Sequence, residues 1–151
     1  MSLALNVRPQ RAGDVAFVMA TWLEQYASSA PSTKHINRAT FFGAHRPIIE
    51  GLIGTETAPP KPGVRVLVAV DPKDDDVIYG WLATERMFDG ASRVHFAYVK
   101  MPFRKAGVLT RLLAAAEVDM ENSTLTHWTY SCSEMSRNHS LSYNPYLLWE
   151  T

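Results

Sequence analysis

The sequence predicts a single α+β domain in which a mostly antiparallel sheet is flanked by helices. Three observations support this. The length of 151 residues is typical of one domain. Several β-rich segments follow one another between residues 64 and 101, and segments with helical periodicity precede and follow them. Turn residues between two of the β-rich segments predict an antiparallel hairpin within the sheet.

The N-terminal part is predicted to form a strand and then a helix. Residues 3–8 alternate between apolar and polar side chains, as a half-buried strand does. Apolar residues then recur at helical spacing and predict a helix over about residues 14–28. The chain is therefore expected to enter the sheet first and to cover one of its faces next.

The next segment predicts two short helices. Ser32 or Thr33 can cap a helix that runs to Phe42, where Gly43 interrupts it. Pro47 is well suited to the first position of a helix and can start a second one towards Gly54.

The remaining elements follow from local composition. After the proline-rich loop TETAPPKPG, residues 64–70 and 77–87 predict a hairpin whose turn is DPKDDD, and residues 94–101 predict a further strand. A helix ending near Met120 comes next, and residues 124–132 return to strand propensity. The predicted order is β, α, α, β, β, β, α, β.

Composition limits the classes of partner. Apolar residues make up 46% and charged residues 20%, which predicts a folded globular chain. Fifteen basic residues balance fifteen acidic ones, which argues against nucleic acid and against an anionic membrane as partner. No apolar run is long enough to span a bilayer, and no export signal is visible. Cys132 is the sole cysteine, so the expected location is the cytoplasm.

The stretch HFAYVKMPFRKAGVLTRLL carries the strongest functional signal. It predicts a strand that passes through a tight turn at Gly107 into a helix. The first amides of a helix lack intrahelical partners and lie at the positive end of its dipole, so they can bind an anion. Arg104 and Lys105 add positive charge there. The alternative is an ordinary turn with a solvated Arg-Lys pair.

This turn resembles the signature of the GNAT superfamily of N-acetyltransferases. That signature is Arg or Gln, two residues, Gly, one residue, then Gly or Ala, and here it reads Arg104-Lys105-Ala106-Gly107-Val108-Leu109. Leu109 departs from it. The element order over residues 3–132 is also similar, and the chain resembles short GNAT proteins that phages encode. The resemblance implies a GNAT fold whose sheet splays between strands four and five.

The resemblance also implies acetyl-CoA as co-substrate, without a metal, and direct transfer of its acetyl group to an amine. The backbone of residues 99–101 would pair with pantetheine, and the amides of residues 105–110 would hold the pyrophosphate. The coenzyme-binding residues implied in this way are Val99, Met101, Arg104, Lys105, Ala106, Gly107, Val108, Leu109 and Thr110.

His95 is the candidate general base. On a regular strand it shares one face with Ala97, Val99 and Met101, and an imidazole pKa near 6.5 suits proton removal at neutral pH. Its offset from the signature resembles that of the second of two histidines in arylalkylamine N-acetyltransferases; Arg93 replaces the first. The alternative is a hydrogen-bonded core histidine.

Tyr143 is the candidate acid for the departing thiolate, because GNAT proteins often place a tyrosine beyond strand five. Tyr146 lies in the same part of the chain, and the alternative is an aromatic tail packed on the sheet. Glu85 is either an amine-binding carboxylate or an exposed charge at a strand end.

Other conspicuous residues favour structural interpretations. Three successive aspartates in a hairpin turn are expected to be solvated rather than metal-bound, and His35 and His45 lack the spacing of a zinc pair. Cys132 on a strand predicts a buried small side chain. The residues expected in the core are Trp22, Tyr26 and Trp81.

Two other functions remain open. One is a GNAT-like module that binds CoA or a protein without turnover, which Leu109 favours. The other is modification of a nucleobase or of a host protein, which the likeness to phage proteins suggests and the zero net charge opposes; such a protein would act in the host cytoplasm. Few residues follow the predicted fifth strand, so the acceptor side is expected to be either truncated or completed by a second subunit of a homodimer.

Overall fold

The computed structural model of the protein describes residues 3–137 and 140–149. The described part contains six strands and four α-helices, joined by turns and short 3₁₀ segments. The strands are β1 (Asn6–Pro9), β2 (Val64–Asp71), β3 (Asp74–Arg86), β4 (Ser92–Val99), β5 (Ser123–Leu125) and β6 (Ser142–Tyr143). The helices are α1 (Val15–Ser29), α2 (Arg38–Ile53), α3 (Val108–Ala115) and α4 (Tyr130–Met135).

All six strands form one sheet in sequence order. The pairs from β1 to β4 are antiparallel, whereas β4 with β5 and β5 with β6 are parallel. The predicted α+β class with a mostly antiparallel sheet is therefore confirmed. The change to parallel pairing occurs at β4, directly before the segment that is predicted to bind an anion.

The core consists of two apolar clusters on opposite faces of the sheet. Alternate residues of β2 divide between them, because successive side chains of a strand point to opposite faces. One cluster joins the sheet to α1 and α2, and Trp22, Trp81 and Phe96 pack together there. The expectation that Trp22, Tyr26 and Trp81 belong to the core is confirmed. The other cluster packs against α3.

The prediction of two short helices around Gly43 is wrong, because α2 is continuous. Asn37 caps it by accepting hydrogen bonds from the amides two and three residues further on, at 3.0 and 3.2 Å. Pro47 lies inside the helix and cannot donate to the carbonyl of Gly43. Thr33 instead donates to carbonyl groups at the end of α1. Burial of one face of α2 outweighs the weak helix propensity of its middle.

The hairpin has a shorter turn than predicted. Asp71 pairs with Asp74, so Pro72 and Lys73 alone form the turn and the three aspartates begin β3. They are exposed, as expected of solvated carboxylates. Asp75 accepts a hydrogen bond from Arg11 at 3.0 Å. Within the described ranges, no group of His, Cys, Asp and Glu is arranged to hold a metal ion.

The C-terminal elements are shorter than predicted. α3 ends at Ala115 because Glu117 adopts a left-handed conformation (φ 57°) and the amide of Val118 bonds the carbonyl of Leu113. β5 has three residues rather than nine, and Cys132 lies on α4 instead of a strand. After β5 the chain leaves β4, so strand propensity there finds no partner. Among the helices described, none combines the length and apolar character needed to cross a bilayer.

Candidate functional site

The site begins where β4 and β5 diverge. The two strands pair from Ser92 with Ser123 to Val94 with Leu125, and the last bond runs from the amide of Thr126 to the carbonyl of Val94 at 3.2 Å. β4 continues to Val99 without β5 beside it. The gap opens into a cavity of about 430 Å³. The predicted splay between strands four and five is thus present.

A β-bulge in β4 changes the predicted orientation of the strand. Ala83 pairs with Phe96 and Thr84 with Val94, so His95 is an extra residue without a partner on β3. Val94 consequently packs in the cluster with Ala97 and Val99, despite its odd spacing from both. The simple alternation that predicted the position of His95 does not hold at the bulge, although His95 does line the cavity.

The turn between β4 and α3 is a cradle of backbone amides. Lys105 and Gly107 both have positive φ, 64° and 84°. None of the amides of residues 105–110 has a hydrogen-bond acceptor within the described part of the chain, and those of residues 108–110 form the first turn of α3. A Cβ atom added to Gly107 would meet no atom within 4 Å. The cradle therefore offers free donors and open space, which suit a phosphate group.

The predicted coenzyme residues divide between the cavity wall and the outside of the turn. Those that line the cavity are Val99, Arg104, Lys105, Gly107, Val108, Leu109 and Thr110. Ala106 and Met101 are not part of the lining, and Met101 is 75% exposed. Leu109 is half-buried and packs against the cluster beneath α3. The larger side chain at this signature position is therefore held partly by the core.

Arg104 has a structural contact in addition to its charge. Its Nε donates to the carbonyl oxygen of Val99 at 2.9 Å, which joins the end of β4 to the turn. The carbonyl of Val99 therefore already accepts one hydrogen bond from the protein. Phe103 also lines the cavity, and its ring packs against that of Tyr79 at 4.2 Å between centroids. These contacts fix the turn without using the amides of residues 105–110.

His95 is 1% exposed, and both of its ring nitrogens have protein partners. Nδ1 lies 2.8 Å from the hydroxyl of Thr126 and Nε2 lies 3.1 Å from Oε1 of Glu85. Burial lowers the pKa of His95, and the carboxylate of Glu85 opposes that change. The ring is therefore neutral near pH 7, and a direct role as base requires one of these two bonds to open.

Glu85 is buried, so the interpretation as an exposed charge at a strand end is wrong. Its Oε2 lies 3.0 Å from Nζ of Lys61, and its Oε1 faces His95. The hydrogen bond from His95, and then the bond and charge of Lys61, lower the pKa of Glu85 to about 2. The carboxylate is therefore ionised at neutral pH and held by Lys61 and His95, with Nη1 of Arg93 3.9 Å from Oε1.

Tyr143 lies on β6 outside the cavity wall. It is 40% exposed, and its ring packs against Trp128 at 5.5 Å. Burial of its hydroxyl, followed by the interaction with Tyr26, raises the pKa of Tyr143. Tyr146 is more exposed still. The role of Tyr143 as the acid for the thiolate stays a prediction.

The far wall of the cavity comes from residues that the sequence did not single out for this site. They are Gln25 and Ser29 on α1, His127 and Thr129 after β5, and Ser131 and Met135 on α4. Cys132, predicted to be a buried side chain, is half-buried and lines this wall as well. The divergence of β5 brings these residues together, and no local pattern marks them in the sequence.

Comparison with known proteins identifies the architecture. Neither the protein-family models nor the curated proteins contain a match to this sequence. Solved structures do match it: YycN of Bacillus subtilis, assigned as an acetyltransferase, superposes with a TM-score of 0.59 at 13% identity, over 93% of this chain and 81% of that one. The chain has the GNAT fold. An assigned acetyltransferase of Pyrococcus furiosus gives a TM-score of 0.57 at 13% identity, over 97% and 89% of the two chains.

A third matching structure contains a bound ligand. The PaiA N-acetyltransferase of Thermoplasma acidophilum, solved in complex with coenzyme A, matches with a TM-score of 0.50 at 12% identity. The match covers 76% of this chain and 70% of that one. The likeness to phage proteins in particular has no support among these matches and stays a prediction.

Proposed function

We propose that the protein transfers the acetyl group of acetyl-CoA to an amine. The observation that carries this proposal is the cradle of unpaired amides over residues 105–110, which stands at one side of the cavity between β4 and β5. Backbone donors at a helix N-terminus bind phosphate groups, and the cavity extends along β4. Lys105 and Arg104 add two positive charges to the same turn.

The coenzyme would lie with its pyrophosphate at the cradle and its pantetheine along the open edge of β4. The amide of Val99 and the backbone of Met101 are the proposed partners of pantetheine, and the hydroxyl of Thr110 can add a further bond to phosphate. The thioester would then reach the part of the cavity lined by His95 and Ala97. The amine would enter from the wall formed by α1 and α4.

The reaction forms a C–N bond and breaks a C–S bond. The attacking amine must be neutral and must lose one proton as the bond forms, while the departing thiolate must gain one. His95 is the proposed base, and because both of its nitrogens are engaged it must act through a partner or after one bond opens. Tyr143 is the proposed acid for the thiolate.

Turnover tests this function. The wild-type protein is incubated with acetyl-CoA and a panel of small amines, amino acids, peptides and polyamines, and the release of free CoA thiol is monitored. We expect thiol release that depends on one class of amine and on protein concentration, with a mass increase of one acetyl group on that amine. Release that is independent of every amine would indicate hydrolysis and contradict the proposal.

A second candidate is a module that binds CoA without turnover. The observation that favours it is the burial of His95, whose two nitrogens already have partners. Binding of acetyl-CoA together with no thiol release across the panel would support this candidate. The acceptor class, a homodimer and a cytoplasmic location stay predictions under either function.

A further inference from the structure

A buried chain of hydrogen-bonding side chains runs through the protein beside the cavity. In order, its members are Lys61, Glu85 on β3, His95 on β4, Thr126 and His127 after β5, and His45 on α2. Consecutive members are 2.8 to 3.1 Å apart. Apart from Lys61, every member is buried. The chain thus connects residues up to 82 positions apart in the sequence.

The ionised carboxylate of Glu85 determines which group donates and which accepts in the first hydrogen bonds of this chain. A carboxylate only accepts hydrogen bonds, so Nε2 of His95 must carry a hydrogen and donate it. A neutral imidazole has a single N–H, so Nδ1 of His95 is an acceptor. The hydroxyl of Thr126, 2.8 Å away, must therefore donate to it.

The donor and acceptor nitrogens of the other two histidines follow from the hydroxyl of Thr126. Thr126 has used its one hydrogen, so its oxygen accepts the hydrogen on Nδ1 of His127 at 3.0 Å. Nε2 of His127 is then an acceptor, and Nε2 of His45, 2.8 Å away, donates to it. Burial lowers the pKa of all three histidines, which keeps the rings neutral. One carboxylate therefore determines the tautomer of every ring.

The chain passes the point where β4 and β5 diverge. His95 and His127 belong both to the chain and to the wall of the cavity, whereas Glu85 and Thr126 lie behind the wall. We propose that Glu85 and Thr126 are positioning residues that fix the tautomers of His95 and His127, and that the chain takes up the proton released by the acceptor amine. This proposal rests on the acetyl transfer proposed above.

The acceptor amine loses one proton during acetyl transfer, and the chain takes up that proton. As the amine nitrogen bonds to the acetyl carbon, the hydrogen bond between His45 and His127 opens and the proton of the amine passes to Nε2 of His127. Nδ1 of His127 then gives its proton to Thr126, whose hydroxyl gives its own proton to Nδ1 of His95. The proton is held best on His95, because an imidazolium there faces the carboxylate of Glu85. When the C–S bond breaks, Tyr143, the proposed acid, protonates the thiolate. The proton held by the chain then leaves to solvent, from which Tyr143 regains its own proton. The other charged groups near Glu85 are Lys61 and Arg93, whose Nη1 lies 3.9 Å from Oε1.

Three variants test the chain. Glu85→Gln keeps the size and shape of the side chain, but its amide can either donate a hydrogen bond to His95 or accept one from it. The hydrogen bonds along the chain can then run in either direction. Thr126→Val removes the link between His95 and His127, and Thr126→Ser retains it. Glu117→Gln is the matched control, because it removes a carboxylate that pairs with Arg86 on the surface.

Nitrogen-15 NMR of the imidazole rings reports their tautomers, and steady-state kinetics report the turnover number, the KM for acetyl-CoA and the pH profile.

In the wild-type protein we expect hydrogens on Nε2 of His95, Nδ1 of His127 and Nε2 of His45. Glu85→Gln should give mixed tautomers at His127, which it does not touch, and should lower kcat at least about tenfold with little change in KM for acetyl-CoA. The acidic limb of its pH profile should move to lower pH, because the carboxylate no longer favours the protonated ring. Thr126→Val should also lower kcat, Thr126→Ser should restore it, and Glu117→Gln should match the wild type.

Two results would overturn the proposal while leaving acetyl transfer intact. One is an unchanged tautomer of His127 in Glu85→Gln. The other is a changed tautomer with wild-type kcat and pH profile, which would show that the chain is structural only. If the wild-type protein acetylates no amine, acetyl transfer and the relay both fail. If Glu85→Gln does not fold, the Thr126→Val and Thr126→Ser pair makes the same comparison.

Discussion

Among individual residues, the buried histidines link the stability of the fold to pH. His45 stacks on Phe41 and contacts His127, and burial lowers its pKa to about 4. A histidine in an unfolded chain has a pKa near 6.5. Between these two values the unfolded state binds a proton that the folded state does not, so stability must fall as pH falls through this window.

We predict that the free energy of unfolding decreases between pH 6.5 and 4.5, with His45 contributing about 2 to 3 kcal/mol. His45→Gln should make this dependence shallower, because it removes one titrating group. The carboxylate of Glu85, with a pKa of about 2, loses its contribution only at lower pH and does not obscure the effect. Urea titrations at several pH values measure it, and His35→Gln, at an exposed position, is the control. Equal slopes in both variants would contradict the prediction.

The role of His95 is a second prediction at this scale. His95→Gln keeps a polar side chain of similar size but cannot act as a base. Acetyl-CoA binding should survive, and kcat should fall by about 10²- to 10⁴-fold, the usual contribution of a general base. Kinetics with an active acceptor test this. A variant with the wild-type rate and pH profile would make His95 a structural residue.

At the scale of elements, local patterns predicted some boundaries well and others poorly. The bounds of α1, the presence of the β2–β3 hairpin and the passage from β4 through Gly107 into α3 were predicted, because they depend on periodicity, turn residues and glycine within short segments. The turn of the hairpin was predicted too long, because the pairing of Asp71 with Asp74 extends β3. The continuity of α2 and the short β5 depend instead on packing against distant residues. The bulge at His95 also depends on pairing with β3, so no sequence pattern within β4 predicts it.

Gly43, in the middle of α2, is expected to lower the stability of the protein. Gly43 has ordinary helical geometry, and a Cβ atom there would meet no atom within 4 Å. Gly43→Ala should therefore stabilise the protein by about 0.5–1 kcal/mol, since alanine loses less conformational freedom on folding. Gly54→Ala is the opposite case, because φ is 82° and the added Cβ would lie 2.5 Å from the carbonyl oxygen of Ala58. In chemical denaturation, the free energy of unfolding should be higher for Gly43→Ala than for the wild type and lower for Gly54→Ala. The reverse order of these free energies would contradict the prediction.

For the molecule as a whole, the sequence predicted the fold and one side of the cavity. The cradle at residues 105–110 is a continuous segment, so its chemistry is visible in the sequence. The opposite wall combines α1, the residues after β5, and α4, which only the divergence of β4 and β5 brings together. The contact between His45 and His127 likewise joins residues 82 positions apart and has no local signature.

A ligand that binds only the folded protein must raise its melting temperature. At a concentration of about 100 times Kd, acetyl-CoA should add about 2.7 kcal/mol of stability. For a chain of this length, that corresponds to a rise in Tm of about 5–10 °C. Desulfo-CoA should act similarly, because in the proposed complex the cradle binds the phosphates rather than the sulfur. Differential scanning fluorimetry measures both, and a Tm that does not depend on ligand concentration would count against binding.

The most direct test of the central claim is calorimetric titration of acetyl-CoA into the wild type, Gly107→Val and Gly90→Val. Both glycines have positive φ and open space beside them, so the two variants impose the same backbone strain, but only Gly107 belongs to the cradle. We predict that Gly90→Val binds acetyl-CoA as the wild type does and that Gly107→Val loses at least about tenfold in affinity, since a β-branched side chain would occupy the phosphate position. Equal affinities of the two folded variants, or no binding by the wild type, would contradict the account.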